Sequence, residues 1–138
     1  MSETDDAGVV AHRWIELYNE GEPGTYGSDR FLELYADDCL WVEMPSAFFP
    51  EGRTGNKAAL REALSSSESV MIDRHVDLHD VIADGNEAAM RYTWSATLNA
   101  DGTPVPKGTR ITGEVAAFLV VRNGKIVEIR ELLSFVPA

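Results

Sequence analysis

The sequence predicts an α+β domain in which the helices come first and an antiparallel sheet follows. Three observations support this fold class. Apolar residues recur every three or four positions in the first half of the chain, as on an amphipathic helix. From about residue 70 onward the apolar period is two, as on a strand. Turn sequences rich in glycine separate these alternating runs, which is typical of hairpins. Helices separated from strands along the chain favour helices packed on one face of a sheet.

Length and charge limit the class of protein. A chain of 138 residues is long enough for one domain with a real core, and we expect residues 1–6 to be disordered and residues 7–138 to form that domain. The formal net charge of -11 argues against nucleic acid or an anionic membrane surface as a partner. No apolar run reaches the roughly 18 residues of a membrane span, and the polar start is not a signal peptide. A cytoplasmic protein is therefore expected.

Three helices are predicted ahead of the sheet. The first covers residues 7–19 and ends where glycines and a proline make a loop over residues 21–27. The second is capped by Ser28 or Asp29 and continues to about residue 36. The third follows Asn56, whose side chain suits an N-cap, and covers residues 57–64. Residues 46–55 are predicted to be a loop.

The predicted strands comprise one short and four long segments. The short strand follows the second helix, carries Trp41 and Glu43 on one face, and ends at Met44-Pro45 because proline cannot donate to a ladder. The long strands are expected at residues 70–83, 87–99, 109–122 and 125–135. Asn123-Gly124 gives the strongest hairpin signal in the chain.

Two carboxylates and one arginine are candidates for a polar site. Alternation places Glu131 among apolar residues of the last strand, where an isolated carboxylate is costly unless it is paired or protonated. Arg91, central on its own strand, offers a planar fork that fits a carboxylate. We therefore predict that Glu131 and Arg91 form the polar floor of an apolar cavity, with Trp41 and Glu43 on the opposite wall. A buried structural ion pair, or an edge-exposed Glu131, is the alternative.

The prediction depends on which face of the second long strand points inward. If the cavity face carries Arg91, Thr93 and Ser95, the outer face carries four large apolar residues: Met90, Tyr92, Trp94 and Leu98. Such an apolar patch is normally covered by a partner, so a homodimer through the sheet is expected. The opposite assignment, with the aromatic face inward and Arg91 outward, stays open and would undo this site.

Other reactive residues give weaker signals. His75, Asp77 and His79 form an H-x-D-x-H pattern that suggests a metal site, but side chains along a strand converge poorly, and surface placement is favoured. The single cysteine, Cys39, cannot form an internal disulfide and is expected to be a small buried residue. The sequence contains no glycine-rich phosphate loop, serine nucleophile elbow or CxxC motif. We therefore predict neither a metal nor an organic cofactor.

Three segments, RWIELYNEG, LYADD and NGKIVEIRE, resemble the nuclear-transport-factor-2-like superfamily, and the likeness covers the chain after residue 6. Within that superfamily the chain resembles SnoaL-like polyketide cyclases, ketosteroid isomerases and limonene-epoxide hydrolases. The resemblance implies a cone-shaped barrel of three N-terminal helices packed on a curved, mainly antiparallel sheet. In ketosteroid isomerases the oxyanion tyrosine falls on Trp14, the base aspartate on Met44 and the second oxyanion acid near Ala116. All three residues are missing, so that machinery is not expected.

The likeness to limonene-epoxide hydrolases reaches further into the candidate site. Their tyrosine and asparagine ahead of a Met-Pro pair fall on Trp41 and Glu43. Their arginine falls on Arg91 and one acid on Glu131. The aspartate that takes a proton from water falls on Thr93, which is no base at neutral pH. Glu43 can restore a carboxylate from the other side of the cavity.

The leading hypothesis is a small-molecule enzyme that uses general acid–base catalysis. Its reaction would be a cyclisation, isomerisation or dehydration of a hydrophobic, oxygenated substrate such as a polyketide or terpenoid. Glu43, Arg91 and Glu131 would be catalytic, with Arg91 lowering the pKa of Glu131. The alternatives are an epoxide hydrolase with a rearranged base and a non-catalytic ligand-binding or dimerisation module. The expected substrate-binding residues are Trp14, Tyr18, Trp41, Thr93, Ser95, Val115 and Ile129.

Overall fold

The computed structural model describes residues 6–20 and 29–136, and it has an α+β fold with a six-stranded mixed sheet. The sheet order is β2-β1-β6-β5-β4-β3, so β2 and β3 form its two edges. β1 and β6 run parallel, and the other four neighbouring pairs are antiparallel. The elements in chain order are α1 (Ala7–Tyr18), α2 (Asp29–Leu32), β1 (Tyr35–Glu43), β2 (Arg53–Gly55), α3 (Lys57–Ser67), β3 (Met71–Asp84), β4 (Glu87–Leu98), β5 (Arg110–Arg122) and β6 (Lys125–Val136).

The helices agree with the sequence prediction at α1 and α3 and differ at α2. Although residues 1–6 were expected to be disordered, Asp6 caps α1, because its Oδ1 accepts hydrogen bonds from the Gly8 and Val9 amides at 3.0 and 3.2 Å. Asn56 caps α3 as predicted, and that helix continues three residues further than expected. In contrast, α2 is only four residues long. The predicted loop 21–27 and the possible cap Ser28 lie outside the described residues.

The predicted second helix is cut short because β1 begins at Tyr35. Tyr35 already pairs with Ile126 of β6, and the Ile126 amide donates a 2.7 Å hydrogen bond to the Leu34 carbonyl. Parallel pairing with a distant strand thus overrides the local helical pattern. β2 is a further difference, since it lies inside the stretch predicted to be a loop. The long strands match their predicted bounds within one residue, and Asn123 and Gly124 have φ values of 53° and 75°, as an Asn-Gly hairpin requires.

The inner face of the sheet is apolar and packs against α1 and α3. On β4 this inner face carries Met90 and Tyr92, which are buried, whereas Arg91 points outward and is exposed. Burying such side chains stabilises the fold by roughly 1.5–3 kcal/mol each, and this gain decides which face of β4 points inward. The prediction that Arg91, Thr93 and Ser95 face the cavity is therefore wrong, and the opposite assignment holds.

This correction removes the reason given for a dimer. Met90, Tyr92 and Leu98 are buried inside the subunit, and Trp94 packs against the same core. The large apolar side chains that the outer face exposes include Ile82, Phe118 and Leu132. A homodimer through the sheet stays a prediction. None of the described helices is long and apolar enough to cross a lipid bilayer.

Candidate functional site

A cavity of about 250 Å³ lies between the inner face of the sheet and the helices. Its walls are mainly aromatic and aliphatic, and four residues predicted to bind substrate line it: Trp14, Tyr18, Trp41 and Val115. Two of the predicted catalytic residues, Glu43 and Glu131, line it as well. Ile129 is instead fully buried in the core, and Thr93 and Ser95 lie on the outer face of the sheet.

Glu43 and Glu131 are brought together by the parallel pairing of β1 and β6. They are register partners across the two strands, and the Met44 amide donates a 2.9 Å hydrogen bond to the Glu131 carbonyl. Trp41 and Ile129 occupy the equivalent position two residues earlier, also facing inward. Glu43 is only 7% exposed, while Glu131 is partly exposed toward the cavity. The two carboxyl groups therefore sit side by side on one wall, not on the opposite walls that were predicted.

Arg53 completes this group and was missed by the sequence interpretation. It is the register partner of Glu43 on β2, and its Nη2 donates a 2.7 Å hydrogen bond to Glu43 Oε2. The guanidinium stacks over Phe49 at 3.7 Å and lies 5.3 Å from the centroid of Trp41. Its Nε is buried and has no hydrogen-bond partner among the described residues. One signal pointed to it: a buried Glu43 needs a cation, and Arg53 is only ten residues away.

The predicted pair between Arg91 and Glu131 is wrong. Arg91 donates hydrogen bonds from Nε and Nη2 to Asp80 Oδ2, at 3.1 and 2.6 Å, and both side chains are more than half exposed. This is a surface ion pair on the outer face, where such pairs contribute little. Arg91 therefore does not face the cavity, and its neighbours Met90 and Tyr92 are the β4 residues that point inward.

The histidine pattern lies on the surface, as favoured. His75, Asp77 and His79 are all exposed on β3. His79 Nε2 is 2.6 Å from Thr93 Oγ1, and that hydroxyl donates a 2.8 Å hydrogen bond to Glu114 Oε1. Within residues 6–20 and 29–136, no three His, Cys, Asp or Glu side chains cluster as a metal site would require. Cys39 is buried, and that burial raises the pKa of its thiol.

The electrostatics of the carboxyl pair favour one proton on Glu131. The pKa of Glu131 is raised to about 8 from an ordinary value of 4.5, and burial is the largest cause. The neighbouring Glu43 carboxylate contributes to this rise, and Arg53 opposes it to a smaller extent. The predicted lowering of the Glu131 pKa by Arg91 is thus wrong in both direction and cause. With its pKa raised to about 8, Glu131 keeps a proton at pH 7 beside the ion-paired Glu43, and in such an arrangement one carboxyl can donate a proton while the other accepts one.

Aromatic side chains give the rest of the cavity a fixed shape. Trp14 Nε1 donates a 2.8 Å hydrogen bond to the Tyr35 hydroxyl, and Trp94 Nε1 donates a 2.7 Å hydrogen bond to the Tyr18 hydroxyl. Trp14 also stacks on Tyr18 with ring centroids 5.2 Å apart. These bonds satisfy the indole N–H groups without water. The aromatic part of the cavity wall is therefore largely apolar, with its indole N–H groups already paired, as in a small-molecule site.

Residues 11–129 match the sequence model of the SnoaL-like domain. A search of curated proteins gives no significant match. Among solved structures, an NTF2-like protein of Anabaena variabilis is 20% identical, with 100% of this chain and 95% of that chain covered and a TM-score of 0.71. IdmH of Streptomyces antibioticus, proposed to be a polyketide cyclase, is 21% identical over 91% and 89% of the two chains, with a TM-score of 0.70. An LEH-like epoxide hydrolase of M. tuberculosis is 15% identical over 96% and 85%, with a TM-score of 0.68. At such identities these structures support the fold alone, whereas the match over residues 11–129 shows that this chain belongs to the SnoaL-like domain family.

Proposed function

We propose that this protein is a small-molecule enzyme that works by general acid–base catalysis. The observation that carries the proposal is the pair Glu43 and Glu131, adjacent on parallel strands at the wall of an aromatic cavity. Because Arg53 binds only Glu43, the two carboxyl groups have different environments. Two acids whose environments differ in this way can divide the roles of proton donor and proton acceptor between them.

In the proposed mechanism Glu43 is the base and Glu131 is the acid. Glu43, which forms an ion pair with Arg53, takes a proton from a carbon acid or a hydroxyl. Glu131, protonated at neutral pH, donates its proton to a substrate oxygen on which charge develops. The proton gained by one residue and lost by the other leaves the net charge of the site unchanged. Arg53, and not Arg91, is the orienting cation in this scheme.

The cavity favours a hydrophobic, oxygenated substrate. Three of its charged groups, Glu43, Glu131 and Arg53, lie together, while tryptophan and tyrosine rings form much of the remaining wall. Cyclisation, isomerisation and dehydration all need a proton removed at carbon and one delivered to oxygen, and they fit this arrangement. The likeness to IdmH, proposed to be a polyketide cyclase, supports a substrate of polyketide type.

The test is turnover of a panel of polyketide and terpenoid ketones by the wild type and by two variants. Glu43→Gln and Glu131→Gln should each lower turnover at least tenfold, since general acids and bases contribute roughly 10²–10⁴-fold. Arg91→Gln is the matched control, because Arg91 is exposed on the outer face. Circular dichroism establishes that each variant is folded. Unchanged turnover in both glutamate variants would refute acid–base catalysis by this pair.

Epoxide hydrolysis is the second candidate, and the adjacency of an acid and a carboxylate favours it. Glu131 would protonate the epoxide oxygen while Glu43 takes a proton from the attacking water. The likeness to the LEH-like epoxide hydrolase of M. tuberculosis supports this reading. Reaction in ¹⁸O-labelled water separates the two candidates, because only hydrolysis leaves the label in a diol. A non-catalytic binding module would instead bind ligand, raise the melting temperature and convert nothing.

A further inference from the structure

Arg74 is a second arginine in the cavity wall, far from Arg53 in the sheet. Arg53 belongs to β2 and Arg74 to β3, the two edge strands, and both side chains line the same cavity. Arg74 is partly buried beside Val70 and Met71, where α3 passes into β3. The proposed acid–base mechanism makes no use of it. A guanidinium in the wall of an apolar cavity is one of the few polar groups that can orient a ligand there.

An irregularity in β3 turns Arg74 toward the cavity. Ile72 pairs with Thr97 and His75 pairs with Ser95, so two β3 residues, Asp73 and Arg74, oppose the single residue Ala96. This is a β-bulge, which re-aims a side chain. Ala96 is fully buried on the inner face, so Arg74 takes the inward position opposite a small residue.

The bulge is held in an unfavourable backbone conformation. Asp73 has φ of 51°, in the left-handed region that residues other than glycine seldom adopt. Arg110 stabilises it from the outer face, since its Nη1 donates a 2.7 Å hydrogen bond to the Asp73 carbonyl and its Nη2 donates a 2.9 Å bond to Ser95 Oγ. Such local strain costs roughly 1–3 kcal/mol and is concentrated at functional sites. Here the strained residue immediately precedes Arg74.

We propose that Arg74 anchors a carboxylate group of the substrate, so that the ligand of this cavity is a hydrophobic carboxylic acid. The inference rests on the proposed function for its orientation: the acid group lies at β3 and the reacting centre lies over Glu43 and Glu131. A guanidinium presents five N–H donors in a fork, so it can hold a protein contact and a carboxylate together. The chain as a whole carries a net charge of -11, so an anion is drawn to this cavity only by the arginines within it.

The test compares a carboxylate with its neutral isostere. Binding of 2-naphthaleneacetate and of 2-naphthaleneacetamide to the full-length protein is measured by isothermal titration calorimetry at pH 7. Wild type should bind the carboxylate about 10- to 100-fold more tightly than the amide, as expected for a charge-assisted hydrogen bond. Arg74→Gln should abolish this preference while amide affinity changes by less than about threefold. Arg91→Gln, the same change on the outer face, should keep the preference.

Several results would overturn the anchor. These are equal affinity of the wild type for both compounds, no binding of either, a preference that survives in Arg74→Gln, or an equal loss in Arg91→Gln. Arg74→Lys keeps the charge but loses the fork, so it should give an intermediate preference, and it replaces Arg74→Gln in the test if that variant does not fold. An unchanged preference in Arg74→Lys would then assign the effect to Arg53, the other arginine of the cavity, and overturn the proposal. Glu131→Gln separates the two proposals: the carboxylate preference persists there if the anchor is right, whether or not turnover falls.

Discussion

Glu43 and Glu131 are register partners on adjacent parallel strands, yet within the described part of the chain an arginine binds the carboxylate of Glu43 alone. Two like charges at this separation are unfavourable in a dry cavity, so the carboxyl without the cation retains its proton. The sheet order creates this asymmetry. On one side of the pair, the edge strand β2 places Arg53 beside Glu43, and on the other side β5 places the small Ala117 beside Glu131. The proposed roles of the two acids thus follow from their neighbours across the sheet: Arg53 beside Glu43 and Ala117 beside Glu131.

Activity should decline as the pH rises through about 8. Glu131 acts as the acid only while protonated, and burial together with Glu43 raises its pKa to about 8. As far as Glu131 is concerned, the profile of kcat/KM against pH should therefore be flat from pH 6 to 7. Well above pH 8, kcat/KM should fall tenfold for each pH unit. Glu131→Gln should remove this alkaline limb from whatever activity it keeps. A fall centred near pH 5 would contradict the assignment.

Stability should also decrease with pH, over the window from about 4.5 to about 8. In that window the native state holds a proton on Glu131 that the unfolded state has released, so the free energy of unfolding falls as pH rises, by at most ~1.4 kcal/mol per unit. The difference in unfolding free energy between wild type and Glu131→Gln isolates this contribution. Urea unfolding at pH 5, 6, 7 and 8 measures it, with the exposed Glu62→Gln as control. A difference that stays constant across these pH values would argue against a raised pKa.

Much of the fold could be predicted because it depends on local patterns. The period-two runs located β3 to β6 within a residue, and Asn56 marked the start of α3. The exceptions are elements created by distant pairing. β1 begins at Tyr35 because β6 lies beside it, and β2 forms because Glu43 and Arg53 pair across a turn that the sequence marks only as a loop.

The candidate site was half predictable for the same reason. Alternation identified Glu43 and Glu131 as inward carboxyls, since each lies in an apolar strand. Alternation alone cannot say which of two faces points inward. On β4 the prediction turned Arg91 inward so that it could pair with Glu131, which put the aromatic face outside. The burial of Tyr92 and Met90 under α1 outweighs one ion pair. Arg53, the cation that pairs with Glu43, could not be predicted in this way, because its strand of three residues is too short to show an alternating pattern.

Removing the charge of Glu43 and removing the charge of Arg53 should move the pKa of Glu131 in opposite directions. Glu43→Gln deletes a negative charge that raises the pKa, so the pKa of Glu131 should fall toward 4.5. Arg53→Gln deletes a positive charge that lowers the pKa, so the pKa should rise above about 8. The carboxyl carbon shift of Glu131, followed by NMR across pH 4–10, measures both. Arg91→Gln should leave the pKa of Glu131 unchanged, because Arg91 is paired with Asp80 on the outer face. If Glu43→Gln and Arg53→Gln shift this pKa in the same direction, the opposing effects of Glu43 and Arg53 on Glu131 would be disproved.

Gly52→Ala should destabilise the protein more than the same change at Gly102. Both glycines have positive φ, 73° and 78°, so an added Cβ costs roughly 1–2 kcal/mol at either site. At Gly52 the Cβ would also lie 2.5 Å from the Glu43 carbonyl oxygen, whereas at Gly102 it meets nothing within 4 Å. The clash displaces the turn that delivers Arg53 to Glu43, so we expect an additional loss of at least ~1 kcal/mol in the free energy of urea unfolding. Turnover should fall in Gly52→Ala and persist in Gly102→Ala. Equal destabilisation at the two positions would mean that the close approach of Gly52 to β1 contributes nothing.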